Sequence, residues 1–279
     1  MSFFDFKREE VTPGTDNRQK RAIFRYFEVL FRSFSKIVLL NLCYALCVAP
    51  LFVGLITAAC IMFGVSPEII QSMFFVHLSV WITGILPRPL FLVLFFASAF
   101  VYGPMTAGLT YCMRNLITGR HVFISDLFDC ARSNLKQGII FGFIDIFVLL
   151  SVLLYVSADL SAITSSFAVY YKLGKIFSLI IAVLYLCIRF YSYTIAVTFE
   201  LRIRDILKNS WLFCILGFFR NILSVFIIFV LVSTCISTSR IDIVLFATVF
   251  FGVSRFSVLF TTYPIIEKYM LKQANNEEK

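Results

Sequence analysis

The chain has 279 residues, of which 60% are hydrophobic, and its mean hydropathy is +0.90. Soluble domains are about 45–50% apolar, so this composition excludes an ordinary soluble protein. The formal net charge is +9, which attracts anionic lipids and does not require a nucleic-acid partner.

Residues 1–36 are polar and charged, so we expect a cytoplasmic tail and no cleavable signal peptide. The second half of this tail is amphipathic, with Ile23, Phe24, Phe27 and Phe31 on one helical face. This pattern predicts an interfacial helix that lies on the inner leaflet and leads into the first span.

Apolar runs of about 20 residues recur along residues 37–266, which predicts a single all-α, polytopic membrane domain. The predicted spans are Ile37–Phe63, Pro89–Met113, Gly138–Ser157, Ile176–Thr198, Leu212–Ile236 and Ile241–Ile266. The segment Ile69–Leu86 is interpreted as an outer-face amphipathic or re-entrant helix, and residues 267–279 as a second cytoplasmic tail.

The distribution of basic residues predicts the orientation of these spans. Eighteen of the 25 Lys and Arg residues fall in the two tails and in the loops after the second and fourth spans, whereas four fall in the opposite loops. Loops rich in Lys and Arg stay cytoplasmic, so both termini are expected in the cytoplasm. A seventh span at Ile69–Leu86 would almost abolish this bias.

Two segments, 123–145 and 198–220, resemble each other weakly and suggest an internal repeat. Aligning Asn134 with Asn209 also aligns Gly142 with Gly217. Each segment is predicted to be an in-plane amphipathic helix, cytoplasmic in this orientation, that turns into a span. Related halves are common in transporters, although chance similarity is an equal alternative.

Small residues predict close helix packing. Ala99, Gly103 and Ala107 are spaced by four residues in the second span, and the third span opens with Gly138 and Gly142. Pro104 should also kink its helix. Plain packing is the favoured interpretation, and a hinge for gating is the alternative.

An arginine lies inside the fourth predicted span, where an unpaired charge is costly. Arg189 precedes Glu200 by 11 residues and Asp145 follows Lys136 by nine, so the two lie about 16 and 13 Å from the same membrane face. Their similar depth on consecutive spans predicts a buried ion pair between Asp145 and Arg189.

Two further arginines, Arg220 and Arg255, each lie 12 residues from a charged span end, or about 18 Å deep. Backbone carbonyls, Asn221 and buried water are one explanation for them. The second is an internal cavity in which Arg220 and Arg255, helped by Arg189, bind a lipid phosphate or an acidic sugar. The third is that the assigned span boundaries are misplaced, so that the two depth estimates are wrong.

The stretches Tyr102–Ile139, Phe27–Phe52 and Leu201–Phe213 resemble the YesL family, small integral membrane proteins of Gram-positive bacteria. Its signature follows the order Gly-Pro, Ala-Gly-Leu, Arg-Asn, Asp and Asn-x-Lys-Gln. The Ile69–Leu86 insertion and the long basic tail depart from the compact members. The resemblance implies a bacterial plasma-membrane location and an association with carbohydrate ABC transporters, whose permease is a possible partner.

Three classes of function remain. The favoured one is an accessory or regulatory membrane protein for carbohydrate uptake, and the alternative is a small secondary transporter or channel. An enzyme is not expected, because the chain has no Walker A, H-E-x-x-H or G-x-S-x-G motif and no carboxylate pair suited to acid–base catalysis. The eight cysteines and two histidines are not clustered, so no metal or cofactor is expected, and no oligomeric state is defined.

Overall fold

A computed structural model of the protein describes residues 22–64, 88–158, 165–235 and 246–271. The helices are α1 (Ala22–Met62), α2 (Arg88–Ile117), α3 (Ile124–Ser133), α4 (Leu135–Ser157), α5 (Ser165–Ala196), α6 (Ile203–Leu216), α7 (Phe218–Cys235) and α8 (Phe251–Ile266). The π-helical turns Phe246–Phe250 and Glu267–Leu271 flank α8. These four ranges contain no strand, which confirms the all-α class. The predicted helix Ile69–Leu86 lies outside the described residues.

Five helical segments are long and apolar enough to cross a membrane: 24–55, 93–117, 135–157, 169–196 and 248–270. A sixth is obtained if α6 and α7, which are bent by 92° at their junction, count as one span. The chain is therefore a multi-pass helical membrane protein with five to six spans, as its composition predicts.

The predicted interfacial helix and the first span belong to one continuous helix. Helix α1 continues from Ala22 to Met62 without interruption, because the residues around Ile37 include no proline or glycine that would end it. Its first turns pack against α8, where the Tyr26 hydroxyl lies 2.8 Å from the Ser257 hydroxyl. Phe24, at 65% exposure, faces away from this contact.

Helix α2 is the centre of the bundle and contacts α1, α3, α4, α5 and α8. One core joins α1, α2, α3 and α8, and it includes the fully buried Ile37, Leu127 and Phe256. A second core joins α2, α4, α5, α6 and α8 around Tyr191 and Ile206. Burial of these apolar faces fixes the positions of α2, α5 and α8, the helices that later bring charged groups together.

Two stretches of chain repeat the same order of elements. In the first, α2 ends, residues 118–123 form a loop, α3 follows, and Asn134 separates it from α4. In the second, α5 ends, residues 197–202 form a loop, α6 follows, and Gly217 separates it from α7. We call these the first and second repeat units. Because α2 and α5 end beside each other, the two units run in the same direction through the bundle.

The residue register of this repeat differs from the one that the sequence suggests. Asn134 and Gly217 share almost the same backbone angles, φ −101° and ψ 21° against φ −96° and ψ 18°. The structure therefore matches Asn134 with Gly217, whereas the sequence alignment matched it with Asn209. Helix α6 is four residues longer than α3, 14 against 10, so one ungapped alignment cannot match both ends.

Candidate functional site

A buried ion pair joins the two repeat units. Arg189 of α5 places its Nε 2.6 Å from the Asp145 Oδ2 of α4, and the two side chains are 16% and 7% exposed. The Tyr185 hydroxyl donates to Asp145 Oδ1 at 2.6 Å, and the Tyr193 hydroxyl donates to Oδ2 at 2.9 Å. The predicted partners are therefore in contact, and the carboxylate accepts three hydrogen bonds.

The tyrosines around this pair were not identified from the sequence. Tyr185, Arg189 and Tyr193 are spaced by four residues on α5, so they share one helical face. A Tyr-x-x-x-Arg-x-x-x-Tyr pattern inside an apolar run is the signal that would have found them. A third tyrosine comes from α2, because Arg189 Nη2 donates to the Tyr102 hydroxyl at 2.6 Å.

Arg255 of α8 lies against the same group. Its guanidinium carbon is 5.5 Å from the centre of the Tyr193 ring, and that of Arg189 is 5.1 Å from the same centre. A cation over an aromatic face gains about 0.5–2 kcal/mol, but the ring does not neutralise the charge. Among the residues that the structure describes, the half-buried Arg255 side chain has no hydrogen-bond acceptor. We call Asp145, Arg189, Arg255, Tyr102, Tyr185 and Tyr193 the charged cluster.

The backbone beside Arg255 is unusual. The π-helical turn Phe246–Phe250 changes to α-helix at Phe251, and the Gly252 amide donates to the Asn41 side chain of α1 at 2.6 Å. The Ser254 hydroxyl is buried, and it has no hydrogen-bond partner within the described part of the chain. Single π-helical turns occur often at functional sites, so this junction adds weight to the position of Arg255.

Arg220 does not belong to the charged cluster. The depth estimate assumed one straight helix from Lys208, but the 92° bend at Gly217 places Arg220 in the first turn of α7. Its side chain is exposed, and its Nη1 donates to the Thr261 carbonyl at 3.3 Å. The predicted cavity of three arginines is therefore reduced to Arg189 and Arg255.

Asn221 does not partner these arginines in the structure. It accepts a hydrogen bond from the Tyr191 hydroxyl at 2.9 Å and donates to the Cys214 carbonyl at 2.8 Å, near the end of α6. A methyl group on Gly217 would lie 2.1 Å from that Tyr191 hydroxyl, so the bend requires glycine. Asn221 and Gly217 together form the bend that moves Arg220 away.

The predicted small residues form the crossing of α2 and α4. A Cβ on Gly103 would lie 1.9 Å from the Gly138 carbonyl oxygen, and one on Gly142 would lie 2.9 Å from the Gly103 Cα. A Cβ on Gly138 would lie 2.7 Å from the Pro104 Cα. Helix α2 continues through Pro104 as one helix, and the gating hinge stays a prediction.

The two predicted alanines of α2, Ala99 and Ala107, lie on either side of this crossing. Ala99 packs with Leu51 and Leu55 of α1, and Ala107 packs in the second core beside Phe141. Both alanines are buried, at 8% and 1% exposure. Their contacts support the packing interpretation of the small-residue spacing.

Arg114 is a buried residue that the sequence analysis counted only as a loop charge. It lies in the last turn of α2, and its Nη1 donates to the Val197 carbonyl at 2.9 Å and to the Thr198 hydroxyl at 3.0 Å. Gln137 adds a hydrogen bond to the Leu201 carbonyl at 2.9 Å. These contacts hold the loop after α5 against the first repeat unit.

Metal and thiol chemistry find no support within the described residues. No three His, Cys, Asp or Glu side chains there are arranged to hold a metal ion. On α3, burial raises the pKa of the Cys130 thiol to about 11, although the Arg114 charge and the Asn134 amide act to lower it. Cys130 is therefore a protonated, unreactive thiol near neutral pH.

The fold and the cluster together define a class: an all-α, multi-pass membrane protein with a buried charged cluster between two repeat units. No family model matches the chain, and neither a curated protein nor a solved structure matches it. The function is therefore argued from the cluster itself.

Proposed function

We propose that this protein binds an anion at the charged cluster and acts as an accessory or regulatory protein in the bacterial plasma membrane, with both termini cytoplasmic. The observation that carries the proposal is the surplus charge. Asp145 neutralises Arg189, whereas Arg255 has no acceptor among the described residues. A half-buried guanidinium without a counter-ion is costly within a membrane, and a bound anion would reduce that cost.

The carbohydrate-uptake role rests on the resemblance to the YesL family. An ABC-transporter permease is the partner that the resemblance implies, and anionic lipids of the inner leaflet are expected at the basic end of the bundle. Co-purification of a permease from native membranes, without solute flux through the protein alone, supports the accessory role.

A small secondary transporter is the second candidate. The charged cluster takes residues from both repeat units and from α8, and parallel repeats with a site at their interface are a feature of several transporter folds. Substrate-dependent flux in proteoliposomes that contain this protein alone would favour transport over the accessory role.

Anion binding is tested by native mass spectrometry of the intact, delipidated protein. The wild type is expected to retain an anionic adduct, and Arg255→Gln is expected to lose it. The matched control is Arg220→Gln, which removes the same charge from an exposed position outside the cluster, and it should retain the adduct. Arg255→Lys keeps the charge and should retain part of the binding.

Two results would contradict anion binding at the cluster. One is a wild-type protein that carries no anionic adduct beyond annular lipid. The other is equal loss of the adduct in Arg255→Gln and Arg220→Gln when both variants elute as folded, monodisperse protein.

A further inference from the structure

We infer that the charged cluster selects a monoanion with two oxygens on one central atom, as in a phosphodiester or a carboxylate, over a dianion such as a phosphate monoester. This inference rests on the proposed anion binding and specifies the chemical class of the ligand. The net charge of the cluster and the hydrogen-bond donors that remain free carry the argument.

The described side chains of the cluster carry two positive charges and one negative charge. Arg189 and Arg255 are cations and Asp145 is their only anion within this group, while the tyrosines are neutral. The net charge is one positive unit. A monoanion neutralises it, whereas a dianion leaves one negative charge uncompensated in a low-dielectric site.

The hydrogen-bond donors that remain free in the cluster also favour a monoanion with two oxygens. Arg189 already uses its Nε on Asp145 and its Nη2 on Tyr102. The Arg255 guanidinium has its whole planar fork available within the described part of the chain, and such a fork binds two oxygens of one group at once.

Tyr102 adds a neutral donor near this fork. Its hydroxyl oxygen accepts from Arg189 Nη2, so its proton is available, and no acceptor for that proton lies among the described residues. Arg189 contacts both Tyr102 and the Tyr193 ring against which Arg255 lies. The site therefore offers one bidentate cation and one neutral hydroxyl, which match the two oxygens of a monoanion.

The experiment titrates the intact, delipidated protein with dioctanoyl phosphatidylglycerol, a phosphodiester, and dioctanoyl phosphatidic acid, a monoester. At pH 8 the monoester is almost fully dianionic, since its second pKa is about 6. Native mass spectrometry gives both dissociation constants. We expect the phosphodiester to bind at least tenfold more tightly to the wild type.

A change of cluster charge should change this preference. Asp145→Asn raises the net charge to two and should reduce the phosphodiester preference at least tenfold. Tyr102→Phe leaves the charge unchanged, so it should weaken both lipids by a similar factor and preserve their ratio. If Asp145→Asn fails to fold, the wild-type ratio and the Tyr102→Phe ratio still decide the inference.

The outcomes separate this inference from the proposed anion binding. Equal affinity of the wild type for the two lipids, with binding abolished in Arg255→Gln, overturns the monoanion preference alone. Binding of both lipids that is unchanged in Arg255→Gln overturns the anion site itself. Stabilisation of the wild type by glucuronate, but not of Arg255→Gln, supports the monoanion preference and identifies a soluble carboxylate as the source.

Discussion

Breaking the ion pair from one side should destabilise the protein more than removing both partners. Asp145→Asn removes the charge that lies 2.6 Å from Arg189 Nε and weakens the bonds from Tyr185 and Tyr193. Loss of one member of a buried pair costs about 3–5 kcal/mol, because the other charge stays buried. Arg189→Leu should have a cost of the same order.

The double variant Asp145→Asn with Arg189→Leu leaves no unpaired charge between these positions, so its cost should be smaller than the sum of the two single costs. Neutral hydrogen bonds in membrane proteins couple by about 0.6 kcal/mol on average, whereas charged contacts couple by up to about 3 kcal/mol. We expect a coupling above about 2 kcal/mol, because hydrogen bonds between membrane helices reach at most about 1.7 kcal/mol.

The assay is equilibrium unfolding of the purified variants in mixed micelles, followed by far-ultraviolet circular dichroism. The control cycle combines Asp145→Asn with Arg220→Leu, because Arg220 is exposed and lies outside the cluster. Its two costs should add within about 0.5 kcal/mol. Strict additivity in the Asp145–Arg189 cycle would refute the reasoning.

Three further predictions concern packing, a backbone cap and a thiol. Gly103→Ala places a methyl group 1.9 Å from a backbone carbonyl oxygen of α4, so it should cost about 1–3 kcal/mol in the same assay; Ser151→Ala, on the exposed face of α4, should change stability by less than about 0.5 kcal/mol, and equal effects of the two would argue against the close crossing. Asn41→Ala leaves the buried Gly252 amide without the acceptor that now lies at 2.6 Å and should cost about 1–3 kcal/mol; a loss below about 0.5 kcal/mol would mean that the amide finds another partner. The Cys130 thiol, with its pKa raised to about 11 by burial, should react with N-ethylmaleimide at a rate that rises about tenfold per pH unit from pH 7 to 10, because only the thiolate reacts; a plateau near pH 9, measured by peptide mass spectrometry, contradicts the raised pKa.

The depth of a residue along a helix predicted one contact and failed for another. It placed Asp145 and Arg189 at the same level, because α4 and α5 are each continuous from the basic end to these residues. It failed for Arg220 because the count passed through Gly217, where the chain turns by 92°. Glycine in an apolar run is also common in straight membrane helices, so the bend could not be read from composition alone.

The order of elements in the repeat was also partly predictable. Amphipathic spacing located helices α3 and α6, which bury Leu127 and Ile206 respectively. Phe123 holds the cap position of α3, and its amide donates to the Asp126 carboxylate at 2.8 Å. The sequence alignment matched Asn134 with Asn209, whereas the structure matches the two breaks between helices, at Asn134 and Gly217.

Arg255 could be located from the sequence only as a deep charge, since its neighbours come from distant parts of the chain. The ring that it shares with Arg189 belongs to α5, and the turn before it is held by Asn41 of α1. Contacts of this kind depend on how α1, α5 and α8 pack together. An estimate of depth along one helix does not show which faces of helices distant in sequence contact each other.

The surplus positive charge of Arg255 distinguishes a binding site from a group of side chains that only holds helices together. Asp145 and Arg189 already form an ion pair, and hydrogen bonds to Tyr102, Tyr185 and Tyr193 extend this tie across α2, α4 and α5. Arg255 adds only a contact with the Tyr193 ring, which already faces Arg189. Like charges repel, and burial increases the repulsion. Stability alone would favour an apolar residue at this position, so the presence of the arginine supports the proposed anion site.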